Sequence, residues 1–465
     1  MFKSQTQIKI LTIFLLFVFL ITAGLGCKTP SQDVQQATQP VTLKFWRVWD
    51  DNEDFSEIIA AYQAAHPYVN IEYRRFRYEE YEQALVEALA EDRGPDIFSI
   101  SNTWVNRYLS KIAPLPDQTT MPYISTVKHL GIQEETVVEM KSKKSITPRG
   151  VREKFADVVG QDVIWQDPET NQEKVWGLPL SVDTLALFYN IDLLNNAGIP
   201  EPARTWVEFQ DHVKKIVKQD KKGNITQAGA ALGTADNVVR SFDILSLLMM
   251  QNGTQMNAGN SVIFNSIPDS LKGREMPPGE EALIFYTDFA YPAKEVYTWN
   301  EEMPSSLDAF IQGQVAYFFG YAYHLTDITN RAPKLRFNYK TMPQIEGNPE
   351  INFANYWIET VSKKSANTNI AWDFIQFATS AEQVKSYLDK TERPTALKEL
   401  ISTQINDEAM APFASQLLTA KSWYRGRDYA TAEKLFKDMI TAVVKAQMTV
   451  PEAIDLAASR IQQTM

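Results

Sequence analysis

One cysteine, Cys27, and four histidines are all that this 465-residue chain offers toward disulfide or metal chemistry. A lone cysteine leaves no internal disulfide possible, so the folded body rests on its hydrophobic cores alone. His66, His129, His212 and His324 lie far apart, with no H-E-x-x-H pair and no cysteine partner, so a zinc site or other metal centre is not supported. His66, just before Pro67 at the end of a helical run, reads as a surface or capping residue. A G-x-S-x-G elbow and a Walker loop are both missing, which argues against serine hydrolases and nucleotide hydrolases. The short fragments around Gly223 and Gly233 do not amount to phosphate loops, and no cofactor is expected. Acids, by contrast, are abundant. With 57 of them, accidental carboxylate pairs are inevitable, so motif absence alone leaves a glycosidase open.

The N-terminus carries an export signal. Lys3 and Lys9 precede an apolar run, residues 10–26, broken only by Thr12 and Thr22 and ending in small residues before Cys27. The segment resembles a bacterial lipoprotein signal, which implies that residues 1–26 are removed and that Cys27 carries lipid as the mature N-terminus. An uncleaved N-terminal helix is the alternative, and in either case the body sits outside the cytoplasmic membrane. Residues 27–40 (CKTPSQDVQQATQP) have almost no apolar content and read as a flexible tether. Loss of residues 1–26 removes Lys3 and Lys9 and no acid, leaving 44 basic against 57 acidic residues, a net charge of −13. Such acidity argues against nucleic acid and anionic headgroups as partners.

A hydrophobic content of 44% and an aromatic content of 11% belong to a globular chain long enough for two cores. Residues 41–49 (VTLKFWRVW) alternate as a strand does, and 55–65 repeat apolar residues at helical spacing. A second strand over 69–73, a second helix over 81–90 and a third strand over 97–100 follow. Strand, helix, strand, helix, strand is the pattern of a parallel α/β sheet, whose ligands sit beyond the carboxyl ends of the strands. Met249 and Met250 lie in an apolar helix and read as core packing.

The most informative stretch is 175–209, VWGLPLSVDTLALFYNIDLLNNAGIPEPARTWVEF. It reads as an extended Gly-Leu-Pro-Leu crossing, a β-rich run over 184–189, a helix over 191–197 closed by Gly198, and a new helix capped by Thr205. Its wording resembles the family 1 extracellular solute-binding proteins of ABC importers, the maltose-binding-protein-like group, at many positions of fixed spacing. RGPDIFSISN, LSKIAPLP, SLDAFIQGQVAYFFGYAY and the segments 353–362 and 369–378 extend the likeness over nearly all of the body from Val41. Residues 123–172 and 266–279 look like variable excursions.

That resemblance implies an α/β, two-lobed, type II periplasmic-binding-protein fold whose lobes interleave. Lobe one would take residues 41–181 plus 352–398, lobe two 185–350 plus 401–465, with three crossings as the hinge. It also implies ligand contacts from Trp49 and Asp50 after the first strand, Asn102 and Trp104 after the third, Asp183 at the first crossing, and Thr234 and Asn237 in a second-lobe loop. Gly320 permits close backbone approach, and the rings of Tyr321 and Tyr323 suit stacking on a sugar, with Tyr321 preferred. On a continuing strand those two tyrosines would point to opposite faces. Tyr356 and Trp357 open the return crossing and join the candidate list, although Trp357, like Trp46, also reads as core. Arg393 is a rim residue.

The expectation is therefore a monomeric lipoprotein, not an enzyme, that captures a carbohydrate and hands it to an ABC permease in the membrane. Alternatives are a binding protein for a peptide, polyamine or chelated metal, a surface sensor, and an extracytoplasmic carbohydrate-active enzyme.

Overall fold

In the computed structural model the described residues are 39–129 and 133–465. The expected signal over 1–26, Cys27 and the tether as far as Thr38 lie outside them. Strand β1 (Val41–Val48), helix α1 (Asn52–Ala65), strand β2 (Val69–Phe76), helix α2 (Tyr78–Ala90) and strand β3 (Ile97–Ser101) build the first lobe in order. β1 lies between β2 and β3 and pairs parallel with both, the arrangement right-handed β-α-β crossovers produce. α1 starts in a capping box made by Asp51 and Asp54, and turns Phe55, Ile58 and Tyr62 onto the sheet. His66 does cap α1, its N–H donating to the Tyr62 carbonyl at 2.9 Å. It is not at the surface, however, because its ring packs among Tyr62, Tyr68 and Tyr123.

The sheet is mixed rather than parallel throughout. Beyond β3 comes the strand Trp357–Ser362, antiparallel to it, and then the short strand Ile112–Ala113. The strand Trp357–Ser362 returns from the other lobe, so it enters the sheet from the opposite end. In the second lobe the strand order is Lys218–Gln219, Ile225–Ala230, Val315–Gly320, Ala186–Asn190, Phe337–Lys340. Helix Ser241–Gln251 beside it is buried at every position, which accounts for its lack of a polar face and for Met249 and Met250.

Three short strands join the lobes. Asp183–Thr184 pairs antiparallel with Asn352–Asn355, which pairs parallel with Ala420–Lys421. The hydrophobic residues sort into two clusters on either side: Leu43 to Val182 with Ala354 to Leu397 in one, and Leu185 to Phe353 with Trp423 to Ile461 in the other. Ile401, expected beyond the last crossing, packs in the first cluster together with Leu417 and Ala420, while Met410 and Phe413 join the second. Segment 398–419 thus runs along the junction before the chain finally passes over at Ala420–Lys421. The excursion after residue 123 holds ordered pieces: the hairpin Gln118–His129 with Gln133–Lys144, and helices Pro148–Lys154 and Asp157–Val163.

The signature segment takes the local structure its residues call for. Asn190 caps helix Ile191–Asn196, Gly198 adopts φ 71° after it, and Thr205 with Glu208 forms a capping box for helix Trp206–Ile216. Just before the first crossing, Leu178 bridges Glu359, and a Cβ on Gly177 would overlap Ile358 and crowd the Glu359 carbonyl. Gly177→Ala is therefore expected to lower stability by about 1–3 kcal/mol, the usual cost of overpacking, with the m value unchanged in urea unfolding. An unaltered midpoint would show that the crossing is not pressed against that strand.

Candidate functional site: an aromatic cleft between the lobes

Four large aromatic side chains remain exposed among the described residues: Trp49, Tyr78, Tyr291 and Tyr323. Three of them meet at one place. Trp49 lies parallel to Tyr78, at the start of α2, with centroids 5.4 Å apart, and parallel to Tyr323 of the second lobe at 6.4 Å and 12°. Trp49 reaches this position by leaving β1 in a left-handed conformation, φ 75°, which a non-glycine residue holds only at a cost of about 1–2 kcal/mol. Arg240, facing from the second lobe, is left-handed as well at φ 64°. Asp92, Asn171, Glu392 and Ala446 are left-handed too, so it is the large exposed ring carried by Trp49, rather than the backbone alone, that sets this place apart.

The second-lobe wall is built from the turn that follows Val315–Gly320. Because the strand stops at Gly320, Tyr321 and Tyr323 do not alternate as strand residues would; their rings stack at 5.6 Å and 14°. His324 holds the turn by accepting from the Tyr321 N–H at 3.0 Å, and burial, aided by Arg240, pushes its pKa down to about 3, so it remains a neutral acceptor. Tyr321, the preferred stacking ring from sequence, is completely buried. Its hydroxyl donates to Asp243 at 2.6 Å and the Arg240 guanidinium lies 5.3 Å over its ring. Tyr321 is the support, and Tyr323 presents the open face.

Asp50 is likewise committed to the protein. One carboxylate oxygen takes Arg47 at 2.7 Å and the Tyr387 hydroxyl at 3.1 Å, and the other takes Arg393 at 2.7 Å. Glu359 completes this buried group through Arg47 and Ser99. Pairing of this kind is what lets charges sit beneath a cleft without water. Asp183 lies on the first crossing strand, nearly buried, and accepts from the N–H groups of Thr184 at 2.9 Å and Ala322 at 3.2 Å. It thereby ties the tyrosine turn to the hinge.

Asn102 and Tyr356 converge with three residues not singled out from sequence. Asp162 accepts from the Asn102 amide at 3.0 Å, the Tyr356 hydroxyl at 2.8 Å, the Ser422 hydroxyl at 2.6 Å and Arg425 at 2.9 Å. The Asn102 amide oxygen is buried without a partner in the protein. Trp104 packs parallel to Tyr108 and edge-on to Trp357 at 5.6 Å, and Trp357 in turn meets the edge of Tyr78. Both therefore buttress the platform. Thr234 and Asn237 bond each other, and Asn237 donates to the Asn300 and Met303 carbonyls at 2.9 Å each. Their polar atoms hold the loop that leads to Arg240 and are not free for a ligand.

Between the lobes Thr103, Phe242, Asn355, Ser422, Trp423 and Tyr429 close on one another and leave no room for a water molecule. Of the residues that sequence reasoning passed over or ranked low, Tyr78, Arg240 and Tyr323 are the most prominent. Tyr78 carried a signal, since it follows the end of β2 as Trp49 follows the end of β1. Among the described residues no cluster of His, Cys, Asp and Glu has the make-up of a metal site, and no helix is long and apolar enough to cross a membrane.

Two α/β lobes, three hydrogen-bonded crossings and a cleft walled from both sides define a two-lobed solute-binding protein of the type II kind. Residues 57–412 match the model of the family described as bacterial extracellular solute-binding protein, and the chain belongs to that family, whose members act outside the cytoplasm. It is similar to the galactooligosaccharide-binding protein of Bacillus subtilis (strain 168), with 23% identity over 313 residues, 66% of each chain. A multiple sugar-binding protein of Streptococcus mutans serotype c is 24% identical over 228 residues, 49% of this chain and 52% of that one. The match therefore spans between half and two thirds of these relatives' own length. Among solved structures, the cyclic alpha-maltosyl-1,6-maltose binding protein from Arthrobacter globiformis superposes with a TM-score of 0.69 at 18% identity, covering 91% of this chain and 99% of that one. The sugar-binding protein MalE from Xanthomonas citri gives 0.68 at 16% identity, covering 91% and 97%. At these identities the likeness speaks for the fold.

Burial raises the Asp183 pKa to about 7, against the opposing pull of the Ala322 amide and Arg393. The folded chain then holds this proton more tightly than the unfolded chain does. Its stabilising contribution is complete below the ordinary 3.8 and is lost as pH rises through about 7. The shift corresponds to about 4 kcal/mol at most. Asp183→Asn is expected to flatten part of the fall in Tm between pH 4 and 7; parallel curves for variant and wild type would show that Asp183 does not titrate in that window.

Proposed function

We propose that the protein captures a sugar or oligosaccharide in the interlobe cleft and delivers it unaltered to an ABC permease. The observation that carries this reading is the pairing of open aromatic faces from opposite lobes, Trp49 and Tyr78 from one and Tyr323 from the other. Sugars offer flat C–H patches bordered by hydroxyls, and such walls suit them. Ligand contacts made by both lobes stabilise the closed arrangement over the open one, and differential contact is all the mechanism requires. The relatives named for galactooligosaccharide and multiple-sugar binding support the same ligand class.

In this reading Trp49, Tyr78 and Tyr323 touch the ligand, the Asn102 amide oxygen is an unused acceptor near the hinge, and Trp104, Trp357, Tyr321, Asp50, Asp183 and Tyr356 hold the walls in place. Thr234 and Asn237 shape the Arg240 loop. The lobes comprise 41–181 plus 352–420 and 185–350 plus 421–465. Cys27 carries the lipid anchor, the body acts as a monomer, and no bond is broken. A thermal-shift screen tests the proposal, since a ligand that binds only the folded state raises the midpoint. A carbohydrate should raise the Tm, and Trp49→Ala should abolish that rise while moving the unliganded Tm by no more than about 2 °C, as expected of an exposed side chain. A response to amino acids, polyamines or metals with none to any carbohydrate would sink it.

A further inference from the structure

The spacing and tilt of the two facing rings say more about the ligand than that it is a sugar. Trp49 and Tyr323 come from different lobes, lie within 12° of parallel, and have centroids 6.4 Å apart. A ring held between two aromatic faces needs about 7–8 Å, twice the carbon–carbon contact distance of 3.5–4.0 Å. Because the centroid separation bounds the gap between the faces from above, the walls must part by at least about an ångström, which rotation about the three crossing strands supplies. Each wall is backed from behind or beside by further rings: Tyr78 and, through it, Trp357 on the first lobe, Tyr321 on the second. Neither wall can easily tilt.

We infer that Trp49 and Tyr323 form a two-sided clamp for a single pyranose ring whose substituents are all equatorial, as in β-linked gluco- and xylo-oligosaccharides. The inference rests on the carbohydrate reading above and narrows it. In such a ring every hydroxyl radiates near the ring plane, so both faces present only axial hydrogens and both can lie against an aromatic surface. An axial hydroxyl or an axial glycosidic oxygen would press a polar atom against one wall, where no donor or acceptor waits for it, and an unpaired polar group buried in that way is unfavourable. Hydrogen-bonding groups instead border the clamp. Arg240 and Arg393 keep 24% and 20% of their side chains exposed, Arg240 over Tyr321 and Arg393 on Asp50, the residue after Trp49. Their acidic partners Asp243 and Asp50 neutralise them, which suits an uncharged sugar rather than an anionic one.

The test is calorimetry on the purified protein with cellobiose, cellotriose and xylobiose on one side and trehalose, methyl α-maltoside and methyl α-maltotrioside, in which every ring carries an axial oxygen, on the other. The all-equatorial set is expected to bind about tenfold or more tightly than the other, with Trp49→Ala and Tyr323→Ala each losing about tenfold and Trp49→Phe recovering part of the loss. Tighter binding of trehalose, methyl α-maltoside or methyl α-maltotrioside would overturn the equatorial rule while leaving the carbohydrate reading intact. Wild-type affinity in Tyr323→Ala would overturn the clamp. If no carbohydrate bound at all, the broader reading would fall and this one with it.

Discussion

Three passes of backbone between two separate cores, hydrogen-bonded to one another as Asp183–Thr184, Asn352–Asn355 and Ala420–Lys421, govern everything else in this molecule. A single linker would let the lobes wander. Three strands in one small sheet leave a restricted set of rotations, because any other motion breaks ladder hydrogen bonds that have no substitute partners. Asp183 sits on one of these strands and bonds the turn that carries Tyr323, so the second-lobe wall moves with the hinge. Asp162 plays the matching part on the other side, gathering Asn102, Tyr356, Ser422 and Arg425 from segments that flank the remaining crossings.

Charge is handled in two layers. Deep groups are paired with one another: Arg47, Asp50, Glu359 and Arg393 in the first lobe, Arg240 and Asp243 in the second. Over them lie rings whose outer faces are open. The result is an apolar aromatic surface at the junction of the lobes, anchored by electrostatics beneath, and pairing of the deep charges is what makes their burial tolerable. Of the sequence candidates, Asp50, Asp183, Thr234 and Asn237 are bonded within the protein, and Trp104, Trp357 and Tyr321 pack against or behind the more exposed rings.

Much of the fold was readable because its signals are local. Alternation in β1, apolar spacing in α1, the caps Asn190 and Thr205 and the left-handed Gly198 each depend on residues within a turn or two of one another. The site was harder. Tyr321 is preferred over Tyr323 from sequence, yet Tyr321 is buried and Tyr323 exposed, because the strand ends at Gly320 and the turn after it sets the two rings. Asp50 looked available at a strand exit, but Arg393, 343 positions later in the chain, claims it. Residues 401–419 are expected in lobe two, yet their apolar side chains divide between both cores, and no local pattern distinguishes one core from another.

From its residues alone this chain determined the α/β layering, the first crossing and the family, all of which follow from periodicity, caps and a run of matched positions in 175–209. Tertiary structure decided which rings face the cleft, which acids are spent on internal partners, and where the last crossing falls. The reason is one of range. A helix cap is satisfied by its neighbours, whereas the exposure of Trp49 and the placement of Tyr323 opposite it depend on two lobes being brought face to face.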